Sequence, residues 1–156
     1  MKMRSIAPAG MLALFMALPA AALAEGVNIG TLSCDVEGGV GFIFGSSKDM
    51  RCVFSRRDGT AERYHGEVNK YGVDIGFTEG AHMVWVVFAA GNVEKGALAG
   101  RYAGATASAS AGLGLGANAL VGGSNDQIGL QPVSIEGNEG LNVAAGIGEI
   151  TLRRGN

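Results

Sequence analysis

Beyond residue 25 the chain alternates apolar and polar residues at a period of two, repeatedly, and shows no sustained helical period. Successive side chains on a strand point to opposite faces, so this feature directs the chain toward sheet. Val27 to Val36 reads as a first strand and Val40 to Phe44 as a short second, with Glu37-Gly38-Gly39 turning between them. Met50 to Arg56 and Ala61 to Val68 read as a hairpin around Arg57-Asp58-Gly59-Thr60, because Asp-Gly tolerates the backbone a tight hairpin requires. Val73, Ile75 and Phe77 alternate with Asp74, Gly76 and Thr78, a strand with one buried face. Met83 to Phe88 is apolar on both parities and is expected to be a central strand covered on both sides.

From Ala103 to Val121 the odd positions stay apolar while the even ones are Gly, Ser, Thr or Asn up to Asn118. Alanine favours helix, but Gly112, Gly114 and Gly116 would each weaken one by about 1 kcal/mol. The expectation is one long strand, or two sharing a register across a bend. Its even face then carries a stripe without side chains at Gly112, Gly114 and Gly116, where either a neighbouring element or a flat ligand comes close. Internal packing is favoured, and it implies that Gly114→Val overpacks by about 1–3 kcal/mol. Gly122 to Asp126 turns the chain, and Gln127 to Ile135 follows, with Pro132 marking an edge or a bulge. Glu136 to Gly140 turns it again, and Leu141 to Leu152 closes the series with a parity shift near Gly148, as a bulge produces. About eight mostly antiparallel strands joined by short turns imply an all-β, compact, glycine-rich barrel or sandwich.

The first 24 residues read differently. Lys2 and Arg4 precede the apolar run Met11 to Leu18, Pro19 breaks it, and Ala22-Leu23-Ala24 offers the small side chains that signal peptidase accepts. A spanning helix needs about 20 apolar residues, and this run is shorter. Glu25, not cysteine, follows the site, so a lipoprotein anchor is not expected. The expectation is cleavage after Ala24, no transmembrane anchor afterwards, a single β domain over 25–156, and a periplasmic or secreted destination.

The mature chain of 132 residues carries 10 basic and 14 acidic side chains, a net charge of −4 with histidines neutral. It contains no basic block, so neither nucleic-acid binding nor adhesion to anionic lipid by charge alone is expected. Its 26 glycines far exceed the average of about 7%, yet prolines are few and apolar residues abundant, which fits a tightly curled sheet. Cys34 and Cys52 are the only cysteines. In an oxidising compartment two cysteines pair, and closing a loop of this length is worth on the order of 3 kcal/mol in the chain-entropy model.

Several stretches, in order, carry a resemblance: Gly30-Thr31-Leu32-Ser33-Cys34, Phe44 to Asp49, Tyr71 to Gly76, Gly100 to Ala105, Gly116 to Ser124, and Leu130-Gln131-Pro132. Together they resemble the exported bacterial family called domain of unknown function 992, over nearly the whole mature chain. That resemblance implies a cell-envelope protein and lends no activity. Gly72 to Gly76, Met83 to Phe88, the Gly/Ala-rich stretch and Gly140 to Ile147 also resemble, more loosely, the SYLF (Ysc84-like) domains. Those are small glycine-rich β folds, some of which bind lipid.

Catalytic patterns are missing. His65 and His82 lack the HxH or HExxH spacing of a metal site, and Asp35, Glu37, Glu67, Asp74 and Glu79 are too scattered to pair as acid and base. Ser46, Ser47, Lys48 and Asp49 pair hydroxyls with a lysine but match neither S-x-x-K nor a P-loop, and no G-x-S-x-G elbow occurs. They read as a turn, or as a binding loop on a rigid scaffold. The sequence therefore points to a non-enzymatic binding or structural module without cofactor or metal. Its expected partner is an envelope protein, a lipid or a glycan; a lipid carrier or membrane-surface protein is the alternative, and an unrecognised hydrolase is least favoured.

Overall fold

The computed structural model describes residues 26–37, 47–71, 80–116, 118–136 and 147–156. Its strands are β1 (Val27–Val36), β2 (Lys48–Arg56), β3 (Ala61–Tyr71), β4 (Ala81–Ala89), β5 (Gly100–Gly104), β6 (Leu120–Gly122), β7 (Ile128–Glu136) and β8 (Ile147–Arg154), with one helix, α1 (Ala107–Leu113). They close into a barrel in the order β1-β2-β3-β8-β5-β6-β7-β4, antiparallel at every pairing. Closure leaves no sheet edge around the ring, and eight strands give an interior about wide enough for side chains to fill.

The alternation decides what fills it. Leu32, Cys34, Phe54, Tyr64, Met83, Trp85, Leu130 and Ile150 all point inward and are essentially without exposure. Cys34 lies directly opposite Cys52 in the β1–β2 ladder, and the two form a disulfide inside the barrel. The β2–β3 hairpin turns where Asp-Gly stands: Gly59 takes φ 91°, and the Asp58 carboxylate accepts from the Thr60 amide and hydroxyl at 2.8 and 2.6 Å. Those two Thr60 donors hold the Asp58 carboxyl below its usual range. Register shifts fall where Pro132 and Gly148 stand: Trp85 pairs Pro132 while Val84 pairs Ser134, and Ile147 pairs Tyr71 while Glu149 pairs Lys70.

Two readings are corrected. The stretch from Ala103 to Val121 is not a long strand: β5 ends at Gly104, α1 follows, and β6 begins only at Leu120. Thr106 caps α1 by accepting from the Ala109 amide at 3.2 Å, and Gly114, at φ 70°, ends it while Leu115 N donates to the Ser110 carbonyl at 2.8 Å. A hydroxyl N-cap and a left-handed glycine C-cap close both ends of a helix that alanine favours. A Cβ on Gly112 or Gly114 would meet nothing within 4 Å, so the expected packing stripe does not exist, and a Cβ on Gly116 would meet the Gln131 side chain first. On its outer face β4 is covered only in part by the described residues. Val84, Val86 and Phe88 are half-buried there, and beside them Leu113, the last residue of α1, and Leu115 lie against Gly129 of β7, the residue opposite Phe88. The proposed strands at Val40 to Phe44 and Val73 to Phe77, and the leader with Ala22, Ala24 and Glu25, lie outside the described residues.

Candidate binding site at the closed end of the barrel

At one end of the barrel β1 begins, β8 ends, and the connections 57–60, 90–99 and 123–127 cross. Here the inward parity of β2 and β3 ends in charge. Arg56 and Glu62 face each other across the hairpin with Nε and Oε2 2.6 Å apart, both side chains largely buried. The guanidinium lies 5.4 Å from the centre of the Phe54 ring and donates further to the carbonyls of Val93 at 2.8 Å and Glu94 at 2.9 Å. Glu62 accepts from the Gly96 amide at 2.6 Å and from the Tyr64 hydroxyl at 3.2 Å. This ion pair therefore grips the 93–96 backbone from both sides.

The grip lowers Leu98 fully into the barrel mouth, where the Tyr102 hydroxyl donates to its carbonyl at 2.7 Å. Ser124 N donates to the Ala97 carbonyl at 3.1 Å and ties in the next loop. Electrostatics follow this geometry. Burial opposes the charge on Glu62, but the Gly96 amide and the Arg56 guanidinium outweigh it and hold the carboxyl below its ordinary range. Burial, aided by the Glu62 charge, pushes the Tyr64 phenol up to about 12. Burial pushes Tyr102 up further.

Two open grooves flank the gripped loop and share Gly91 and Asn92. One, of about 570 Å³, sets Asn92, Lys95, Ser124, Asn125 and Gln127 around an apolar floor of Ala89 and Ile128. The other, of about 770 Å³, lies between Val27, Asn28, Arg57 and Asp58. Both are of the size that ligand clefts occupy. Asn125 and Asp126 hold left-handed backbones, at φ 58° and 53°, a conformation their short polar side chains tolerate.

The residues singled out from sequence lie elsewhere. Ser47 is exposed, Lys48 and Asp49 open β2 at the opposite end, and Ser46 lies outside the described residues, so the expected loop is in part the start of a strand. His82 Nδ1 sits 2.7 Å from Asp35 Oδ1. His65 lies on the outer face of β3. Among the described residues no three of His, Cys, Asp and Glu gather in a way that could hold a metal. Asp74 and Glu79 lie outside them. What sequence reasoning missed is the Arg56–Glu62 grip and the loop it holds. Only part of its signal was available: both charges share the parity of the buried Met50, Cys52, Phe54, Tyr64 and Val68.

Fold and site together define a small disulfide-bridged β-barrel with one end stoppered by a gripped loop and polar grooves beside it. The chain belongs to the family described as "Protein of unknown function (DUF992)", whose model matches residues 13–153. No curated protein and no solved structure matches the chain. The SYLF resemblance finds no support in these comparisons.

Proposed function

We propose that the protein is an extracytoplasmic binding module, not an enzyme, and that its partner docks in the grooves beside the 90–96 loop. The observation that carries this reading is the use of the buried charge. Glu62 and Tyr64, whose protonation is displaced, and Arg56 beside them all spend their hydrogen bonds on backbone and on one another, holding a loop in place. Strongly shifted groups in a cleft suggest catalysis; here they suggest a preorganised platform, which presents Asn92, Asn125 and Gln127 beside the charges of Lys95, Arg57 and Asp58. The Cys34–Cys52 bridge fits an oxidising compartment.

Photo-crosslinking in living cells tests the reading. A crosslinker at Asn92 or Asn125 is expected to trap one envelope component, and one at Glu37, which follows β1 at the far end of the barrel, is not. Equal trapping at all three positions, or none at any, rejects the closed end as the docking surface. Intact mass of the envelope-extracted protein checks the compartment: it is expected to begin at Glu25, and a full-length, membrane-embedded species rejects export by cleavage.

A further inference from the structure

The chain contains a single Asp-Gly pair, Asp58-Gly59, and no Asn-Gly pair. That dipeptide has a chemistry of its own. Glycine offers no side chain to hinder its amide nitrogen, which can attack the carboxyl of the residue before it. The Gly59 N–Asp58 Cγ bond forms, the Cγ–OH bond breaks, and the amide proton leaves with the hydroxyl as water, giving a succinimide. Water then opens either carbonyl of the ring. One opening restores aspartate, and the other leaves isoaspartate, whose main chain runs through Cγ. Asp58 is exposed at the tip of the β2–β3 hairpin, where water is the only reagent the sequence of steps requires.

The turn obstructs that route at each atom it needs. Gly59 N donates to the Arg56 carbonyl at 3.1 Å, and Arg56 N donates to the Thr60 carbonyl at 2.8 Å. Neither Arg57 nor Asp58 has a positive φ, while Gly59 stands at 91°. These features define a type I turn over Arg56 to Gly59, followed by a left-handed glycine. Asp58 is the third residue of that turn, where ψ lies at about 0°. Ring closure needs the Gly59 nitrogen eclipsed with the Asp58 Cβ, and this ψ holds it well away. The carboxylate is turned to its other neighbour: Oδ1 accepts from Thr60 N at 2.8 Å and from Thr60 Oγ1 at 2.6 Å. The same donors keep it ionised, and an ionised carboxylate has no hydroxyl to release.

We infer that Asp58 is a latent isoaspartate site, held closed by the turn and the Thr60 hydroxyl, and that its conversion loosens the loop at the barrel mouth. Isoaspartate adds a carbon to the main chain between Arg56 and Thr60, the two residues whose bond closes the turn. Arg56 is also the cation that holds Glu62 at 2.6 Å and the carbonyls of Val93 and Glu94 at 2.8 and 2.9 Å. Lengthening the connection therefore moves Arg56 against Glu62, which lies on the strand beyond the turn. Asp58 shares a groove with Asn92 of the gripped loop, so the converted side chain also changes the wall of that groove.

Peptide mapping of purified protein, aged with its disulfide intact at mildly acidic pH, tests the inference. There the carboxyl is protonated part of the time and the reaction can start. Isoaspartate and aspartate have equal mass, so labelling by an isoaspartyl methyltransferase marks the converted chains. Unfolding the unaltered protein in urea, and T60A in the folded state, are each expected to speed conversion about tenfold, the factor that one charge-assisted hydrogen bond carries. T60S keeps the hydroxyl and is expected to age as the unaltered protein does. In converted, folded chains, deuterium exchange at the Gly96 amide, bonded to Glu62 at 2.6 Å, is expected to quicken. Conversion as fast in the folded protein as in urea would overturn the assignment. T60A ageing at the unaltered rate would overturn the role given to Thr60, and an unchanged Gly96 amide would reject the link to the loop. Melting temperature verifies folding of each variant. Should T60A fail to fold, the folded and unfolded states of the unaltered chain still decide.

Discussion

Arg56 and Glu62 illustrate how a charged pair can be placed where the alternation calls for apolar residues. Each is worth little alone in such a position, since desolvation offsets the attraction between them. Removing one partner is another matter: Arg56→Ala leaves a carboxylate buried without its cation and is expected to cost about 3 kcal/mol in denaturant unfolding. Glu62 also sets the acid limit. Its folded pKa lies below the ordinary 4.5, so its contribution is complete above that value and is lost as pH falls through the lower folded pKa. Glu62→Gln is expected to lower stability at neutral pH and to flatten the acid limb of a stability–pH profile; an unchanged limb would assign acid sensitivity elsewhere. On the alkaline side Tyr64, raised from 10.0 to about 12, favours the folded state up to pH 10 and ceases to do so as pH rises through about 12. A phenolate absorbance titration should show one late-ionising group fewer in Tyr64→Phe. The strands bearing these residues were legible from period two, but the grip was not. It depends on backbone groups of Val93, Glu94 and Gly96, which side-chain patterns do not advertise.

The helix α1 shows where pattern reading fails among the elements. Three glycines at every second position look like a strand face, yet they do three different things: Gly112 lies in the helix, Gly114 ends it and Gly116 lies beyond it. Period two was here a coincidence of an alanine-rich turn, a cap and a connector. The competing signals, Thr106 ahead of Ala-Ser-Ala-Ser-Ala and a glycine closing the run, were present and are those that normally bound a helix. Opposite outcomes follow for two neighbouring substitutions. Gly112→Ala, inside the helix with open space around it, is expected to raise stability by about 0.5–1 kcal/mol. Gly114→Ala puts a side chain on a left-handed residue and is expected to lower it by about 1 kcal/mol or more. Thermal unfolding of both variants checks the pair, and two destabilisations of equal size would restore the packed strand. By contrast the β2–β3 hairpin, the kink at Pro132 and the shift at Gly148 were all legible, because each rests on a local constraint that no distant contact overrides.

Taken as one molecule, the barrel hides its only covalent cross-link. Cys34 and Cys52 are 0% and 2% exposed, so thiol reagents reach them only through opening of the wall. In the native protein the bridge is expected to resist dithiothreitol until denaturant is added, and its loss is expected to cost about 3 kcal/mol. Non-reducing peptide mass spectrometry and alkylation under both conditions measure this. The same enclosure fixes a sequence of events in biogenesis. Neighbours on an antiparallel pair can meet as soon as β1 and β2 come together, while the sulfurs still face solvent. Once β4 and β3 pack alongside and the ring shuts, an oxidant has no path to them. An oxidant must therefore act on the nascent hairpin, and a chain allowed to fold with reduced thiols should stay unbridged when oxidant arrives late. Timing of delivery, as much as compartment, then determines which form of the protein the cell accumulates.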